Sequence, residues 1–288
     1  ISLNGGGHTS FVLSARYQQT ANLRGTITFQ TPPNGRISAL AIRFTGLTTT
    51  TIPALANIGN AGGRIAHLAA GSGWQTTFVL VNMGKTAAQA ALKFFATGTG
   101  APMLIPLSFP QNGEAPTTVA SSTTQTLAPG ASLIIESKGP SSDPAPTIGS
   151  AQLTTDGNVG GFAIFRYNPN GQEAVVPLED RTSANGFILA FDNTNGTATG
   201  VAVNSVSAQA ANVPVTIRDE KGAQIGTDVL TLAANGHAAF TLGFDKYPYT
   251  AGVRGTIEFG KPANGSIGVI GIRIPPALTF TTLPALAK

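Results

Sequence analysis

The sequence has no cysteine and few charged residues. Of its 288 residues, 17 are Lys or Arg and 13 are Asp or Glu, so 10% of the chain is charged, against about 25% in an average soluble domain. The absence of cysteine excludes disulfides and cysteine-ligated metals, and it fits a cytosolic protein or an exported bacterial one. Intrinsic disorder requires low hydrophobic content, which the 42% hydrophobic fraction excludes.

Long apolar runs and basic clusters are also missing. The apolar runs at 133–135 and 187–191 are far shorter than the ~20 residues that span a bilayer, so no membrane insertion is predicted. The net charge of +4 comes from singly scattered arginines, whereas nucleic-acid-binding proteins cluster Lys and Arg on one face. No nucleic-acid partner is therefore predicted.

The residues that are abundant favour strands over helices. The chain contains 35 Gly and 19 Pro and is rich in Thr and Val, which disfavour helix. A surface covered by Thr, Ser and Asn is typical of exported bacterial modules. The chain begins at Ile1 without an initiator methionine, which favours a processed product or a fragment.

An internal repeat links the two ends of the chain. The N-terminal sequence "NGGGHTSFVL" matches "LAANGHAAFTL", which aligns His8 with His237. "TANLRGTITF" matches "TAGVRGTIEF", which aligns Arg24 with Arg254. "PPNGRISALAIRF" and "TTTIPALA" match "PANGSIGVIGIRI" and "FTTLPALA" in the same order.

The middle of the chain is a more diverged copy, in which "QTLAPGASLIIE", "IGSAQLTTDGNVGGFAIFRY" and "EAVVPLE" occupy corresponding places. We therefore predict the C-terminal half of a β-sandwich module at 1–56, incomplete alone. A full but diverged module follows at 57–181. A second full module at 182–288 repeats 1–56 closely in its second half.

Short runs rich in Val, Ile, Thr and Phe predict the strands of the last module. They are separated by turn pairs such as Asn195-Gly196 and Asn235-Gly236, which favour tight hairpins. The predicted strands are 187–191, 200–205, 213–218, 227–232, 237–242, 255–259, 267–274 and 280–283. This pattern without helices predicts an all-β fold of tandem immunoglobulin-like antiparallel β-sandwich modules.

The phrases "FDNTNG…TGVAV", "GGFAIFRY", "RGTIEF" and "TTLPALA" resemble uncharacterised repeat modules of large secreted or cell-surface proteins from soil bacteria, notably Acidobacteria. The resemblance covers nearly the whole chain. It implies a β-sandwich fold and an extracellular or cell-surface location, and it carries no catalytic residues.

Several arginines recur at fixed positions of the repeat. Arg43, Arg166 and Arg273 end the same strand in all copies, and Arg24 and Arg254 recur in two. One interpretation is that these arginines form a ligand-binding row. We favour a structural interpretation, in which each side chain lies over the sandwich edge and pairs with loop carbonyls or a carboxylate.

The histidines and the "DNTNG" turn are the remaining metal candidates. His8 and His237 follow a turn glycine, and their neighbours are not metal ligands, so local packing is favoured over metal binding. Asp192 begins "DNTNG", which predicts an Asx turn over a calcium loop, because no glutamate follows the glycine. No catalytic, cofactor-binding or metal-binding residue is predicted, and no cofactor.

Two hypotheses of function follow. The first is a non-enzymatic structural or adhesive protein that forms a homo-oligomer or polymer through residues 1–56, because the strand edges of half a module invite pairing with another chain or with a segment outside this sequence. The second is a carbohydrate-binding module with Trp74 and Tyr167 as stacking residues for a glycan. An enzyme is disfavoured, because no residues have the spacing of acid–base or nucleophilic groups.

Overall fold

The chain folds into antiparallel β-sheets with very little helix. The structure, a computed structural model, describes residues 1–46, 48–56, 59, 62–113, 117–139, 142–276 and 279–288. In these residues the helices are α1 (Leu13–Arg16) and the 3-10 turns Gln18–Thr20, Pro110–Asn112 and Pro248–Thr250. None of these is long and apolar enough to cross a membrane. Every ladder between strands here is antiparallel, which confirms the all-β sandwich class.

The first part of the chain contributes one hairpin, formed by β1 (Leu40–Thr45) and β2 (Thr48–Pro53). Within residues 1–39 the structure contains α1 and one 3-10 turn but no strand. The strands that follow belong to two sandwiches.

The first sandwich contains a sheet of order β3-β10-β5-β8 and a sheet of order β12-β11-β4-β9-β6-β7. One core joins side chains of both sheets, among them Leu68, Phe78, Phe94 and Phe165. Its strands are β3 (Gly62–Ala70), β4 (Trp74–Asn82), β5 (Ala88–Ala96), β6 (Ile105–Ser108), β7 (Thr118–Ala120), β8 (Ser122–Leu127), β9 (Ser132–Ser137), β10 (Thr147–Thr155), β11 (Val159–Tyr167) and β12 (Gln172–Pro177).

The second sandwich contains sheets of order β16-β15-β18-β13-β21 and β17-β14-β19-β20 around a core that includes Phe187, Val203 and Phe259. Its strands are β13 (Gly186–Asp192), β14 (Ala198–Ser205), β15 (Ala211–Asp219), β16 (Gln224–Leu232), β17 (His237–Thr241), β18 (Arg254–Gly260), β19 (Ile267–Ile274), β20 (Thr281–Pro284) and β21 (Leu286–Ala287). All strands predicted for this part of the chain coincide with β13 to β20, apart from end residues.

Local chemistry explains these strands. In β13 the side chains of Phe187, Leu189 and Phe191 are buried while Ala190 between them is exposed, which is the period-two alternation of a strand with one buried face. The turn after β13 places Asn195 at φ 52°, a left-handed conformation that asparagine tolerates better than most residues.

The two sandwiches share a strand order. The sheets β8-β5-β10-β3 and β9-β4-β11-β12 correspond in chain order to β16-β15-β18-β13 and β17-β14-β19-β20. The first sandwich adds β6 and β7 beside β9, and the second adds β21 beside β13. The module boundaries at residues 56 and 181 remain predictions.

The sandwiches meet along β3, β12, β14, β19 and β20. Ala202 and Ile270 of the second sandwich join the core of the first. The hydroxyl of Thr282 donates to the carbonyl of Val175 at 2.6 Å and accepts from its N–H at 3.0 Å, so the edge backbone of β12 is satisfied by a side chain of β20.

The hairpin β1–β2 packs on the outer face of the first sandwich. Ile52 and Leu55 contact a cluster formed by Phe162, Ile164 and Val175. The hydroxyl of Thr48 donates to the carbonyl of Gly171 at 3.0 Å. One side of the hairpin is therefore held by β11 and β12.

Candidate functional site

The most unusual surface of the molecule is the N-terminal segment, defined as residues 1–46. None of these residues is buried, although many are large and apolar. The exposed large apolar side chains there are Ile1, Leu3, Val12, Leu13, Leu23, Ile27, Phe29, Ile37, Leu40, Ile42 and Phe44. Extended apolar surface of this kind marks interaction sites in soluble proteins.

The repeat allows the exposure of these residues to be compared with that of their equivalents in the second sandwich. Ile27 and Phe29 are 46% and 42% exposed, whereas Ile257 and Phe259 at the same repeat positions are fully buried. Phe259 lies in β18, which is held between β13 and β15. Residues 24–29 have the sequence of such a central strand but form none.

The hairpin β1–β2, which begins in this segment, has the same pairing register as its repeat equivalent β19–β20. In β1–β2, Ile42 faces Thr51 and Arg43 faces Thr50. In β19–β20 the aligned residues pair in the same register, with Ile272 facing Thr282 and Arg273 facing Thr281.

An arginine of β1 anchors the hairpin. Arg43 Nε lies 3.4 Å from one carboxylate oxygen of Glu173, and Arg166 Nη1 lies 3.2 Å from the other. Glu173 is buried on β12, so the two arginines compensate a charge that would otherwise be strongly unfavourable inside the protein. Two arginines of the same repeat position thus meet at one carboxylate, which the sequence pattern alone does not reveal.

The other recurrent arginines lie apart from this pair. Arg254 Nε is 3.3 Å from Asp192 Oδ1 across the β13–β18 ladder. Arg24 is exposed and lines a cleft of about 360 Å³ together with Glu136 and Lys138. Arg273 is half-buried near the end of β19.

Asp192 itself forms the predicted Asx turn. Its Oδ1 accepts from the backbone N–H and the hydroxyl of Thr194 at 3.0 and 2.6 Å. These bonds, first that of the hydroxyl, lower the pKa of Asp192. Among the described residues there is no group of three or more His, Cys, Asp and Glu that could hold a metal ion.

The two aligned histidines have opposite environments. His8 is exposed, whereas His237 is buried where the two sandwiches meet. Nε2 of His237 lies 3.4 Å from Nδ1 of His67, and its Nδ1 lies 2.8 Å from the hydroxyl of Thr97. The Thr97 hydroxyl in turn donates to the carbonyl of Ile148 at 2.9 Å.

Burial keeps both of these histidines neutral. Loss of hydration lowers the pKa of His67 to about 4, and burial, followed by the neighbouring His67, lowers the pKa of His237 to about 3. The pair therefore acts as a neutral hydrogen-bonded contact between the sandwiches. The sequence pattern did not indicate this pair, because His67 and His237 lie in different sandwiches, far apart in the chain.

A buried arginine completes the contact between the sandwiches. Arg64 is 2% exposed, and its Nη1 donates to the carbonyl of Ile267 at 2.6 Å. Beside it runs a cleft of about 450 Å³ that is also lined by Asp180 and Arg181. Arg181 is paired with Glu179 at 2.5 Å, which compensates its charge at the rim of the cleft.

Trp74 and Tyr167, the predicted stacking residues, are neighbours. They face each other across β4 and β11, with ring centroids 4.7 Å apart. Both are half-buried. Trp74 also stacks on Phe165 at 4.4 Å and 14° and lies 5.6 Å from Phe280, so much of its ring surface is already covered by protein.

Comparison with known proteins yields no relative. No protein-family model, curated protein or solved structure matches the chain. The resemblance to bacterial surface modules therefore stays an expectation.

Proposed function

We propose that this protein is a non-enzymatic, exported bacterial surface protein with a structural or adhesive role, which assembles through residues 1–56. The observation that carries the proposal is the exposure of Ile27 and Phe29, whose repeat equivalents are fully buried. Burial of such side chains is favourable by roughly 1.5–3 kcal/mol each. A partner that covered the segment would gain this free energy, with the hairpin as a fixed anchor.

The ionisable groups that the fold brings together support a structural role. Glu173 is held by two arginines, and His67 and His237 are buried against each other. Perturbed pKa values also arise in structural networks. Here Glu173 connects the hairpin to the first sandwich, and the two histidines connect the two sandwiches.

The test is the assembly state of the full chain. We expect static light scattering to show oligomers that grow with concentration, and electron microscopy to show particles or filaments. Phe29→Asp should shift the distribution toward monomer, because the substitution places a charge in the contact. Phe244→Asp is the matched control, since Phe244 is 89% exposed and lies outside the segment. A monodisperse monomer at all concentrations would contradict the proposal.

A carbohydrate-binding function is the second candidate, favoured by the side-by-side, half-exposed rings of Trp74 and Tyr167. A sugar would have to stack on the part of Trp74 that Phe165 leaves free. A glycan array with the full chain tests it, and Tyr167→Ala should reduce binding, with Tyr17→Ala as the control. No bound glycan, or binding unchanged in Tyr167→Ala, would contradict this second function.

A further inference from the structure

We infer that residues 8–56 are the acceptor for a polypeptide with the strand pattern and acidic residues of 186–232, which would close a third β-sandwich. The inference goes beyond the proposed function, because it names for the same segment a partner other than a folded copy of this chain. The proposed interface forms by strand addition. The second sandwich of this chain shows the strand pairing that we expect in it.

The segment already has the local structure that such a sandwich requires. In the 3-10 turn, Thr20 Oγ1 donates to the carbonyl of Tyr17 at 2.7 Å, and Thr250 Oγ1 donates to that of Tyr247 at 2.8 Å. Asn22 and Gly252 have φ values of 59° and 71° at the same point. The turn of the acceptor is therefore preorganised, which reduces the entropy lost on binding at this point.

The ring contacts of the segment are also those of the second sandwich. Phe11 and Tyr17 are 5.9 Å apart at 78°, and the aligned rings of Phe240 and Tyr247 are 5.8 Å apart at 86°. Arg16 lies over the ring of Tyr17, as Lys246 lies over that of Tyr247. The segment therefore already has the turn, the aromatic pair and the cation–ring contact that its equivalent has in the second sandwich.

Comparison with the second sandwich shows which strand neighbours the N-terminal segment lacks among the described residues. β18 pairs with β13 on one side and with β15 on the other, and β19 pairs with β14. Their counterparts in the N-terminal segment have no such neighbours in the described residues, where β1 pairs only with β2. A partner with the pattern of β13, β14, β15 and β16 supplies all of these strands.

The charges of the two halves are complementary. The charged residues of 1–56 are all arginine. The charged residues of 182–232 are mostly acidic, namely Asp192, Asp219, Glu220 and Asp228 against Arg218 and Lys221. In the second sandwich Asp192 pairs with Arg254, and Asp228 accepts from the hydroxyl of Tyr247 at 2.9 Å. A partner of this type would offer the same acids to Arg24 and Tyr17.

The partner must present these strands unpaired. In a folded copy of the chain, β13, β14 and β15 are already bonded to β17, β18 and β19, and β16 is bonded to β15. The occupant is therefore a free first half of a module of this kind, and intact sandwiches of a second copy do not provide it.

The experiment uses a synthetic polypeptide of residues 182–232 as the probe and the full chain as the acceptor. We expect one-to-one binding by native mass spectrometry and slower hydrogen exchange at the amides of residues 24–29, which would enter a ladder. A probe with Asp192→Ala and Asp228→Ala should bind about tenfold more weakly, since an exposed ion pair with Arg24 and a hydrogen bond from Tyr17 are lost. Ile27→Asp in the full chain should abolish binding, and Phe244→Asp should leave it unchanged.

A second arm removes any dependence on the solubility of the probe. Residues 182–231 are joined directly before Leu3, which reproduces the connection between the halves of the second sandwich, with a shuffled sequence of the same composition as control. We expect slow hydrogen exchange at residues 24–29 in the joined chain and fast exchange in the shuffled control. Exchange as fast as in the unmodified chain, or equal protection by the shuffled sequence, would overturn the inference.

The two proposals fail differently. If the full chain is monomeric but binds the probe, self-assembly is wrong and the inference stands. If the full chain forms oligomers that the probe neither binds nor dissociates, assembly stands and the inference is wrong.

Discussion

The clearest comparison within this protein is between residues 17–56 and residues 247–287. Both form the same 3-10 turn and the same hairpin register. They differ in long-range pairing, because β18 lies between β13 and β15 whereas residues 24–29 are in no strand. Turns and hairpins are thus set by neighbouring residues, while a central strand exists only where other strands hold it.

The largest difference in the effect of a substitution on stability is expected between the aligned residues Phe29 and Phe259. Phe259→Ala should lower the free energy of unfolding by about 3–5 kcal/mol, because it opens a cavity in the second core. Phe29→Ala, at an exposed position, should change it by less than about 0.5 kcal/mol. Urea denaturation of both variants, followed by circular dichroism, makes the comparison. Equal losses would show that Phe29 is also packed.

The aligned histidines should differ in the pH dependence of stability. The pKa of His237 is lowered in the fold from its ordinary 6.5 to about 3, so the unfolded chain takes up the proton first on acidification. Stability should therefore fall as the pH drops from about 6.5 toward 3, by at most ~1.4 kcal/mol per pH unit for this group.

His237→Gln should reduce that slope, measured by urea denaturation at successive pH values, and His8→Gln should leave it unchanged. A wild-type slope retained in His237→Gln would mean that other groups cause the acid sensitivity. His67 is the first of these to examine, since burial lowers its pKa as well.

A smaller difference is expected at the aligned tyrosines. Tyr247→Phe removes the hydroxyl that donates to Asp228 and should cost about 1 kcal/mol. Tyr17→Phe should cost nothing measurable in the isolated chain. Thermal unfolding of both variants checks this, and a destabilised Tyr17→Phe would indicate that its hydroxyl already has a partner.

The smallest effect is expected at the exposed arginines. Arg254→Ala should destabilise by less than about 1 kcal/mol, because its ion pair with Asp192 is half exposed and screened by solvent. Arg24→Ala should not change stability but should weaken binding of the 182–232 probe. Unfolding and binding measured on the same samples separate the two roles, and a stability loss in Arg24→Ala would place that side chain in a contact of the isolated chain.

Much of the fold was predictable because its signals are local. Alternation in β13 and the turn pairs at Asn195 and Asn235 identify the strands of the second sandwich without any long-range information. The contact of Arg43 with Glu173 could not be predicted, because Arg43 lies in β1 and Glu173 in β12 of a different sheet. The same holds for the aromatic contacts of Trp74 with Phe280.

The turns, the β1–β2 hairpin, the strand-like alternation and the repeat can all be read from the amino-acid sequence, since they depend on residues close together in the chain or on similarity within it. Whether a strand-like run becomes a central strand cannot be read in this way, as residues 24–29 and β18 show. Which member of each aligned pair is buried depends on the tertiary structure. His8 and His237, or Phe29 and Phe259, have nearly the same neighbours in sequence, yet one of each is exposed and the other buried. The reason is that burial requires partner strands from distant parts of a chain, and β13 to β16 provide them for one copy only.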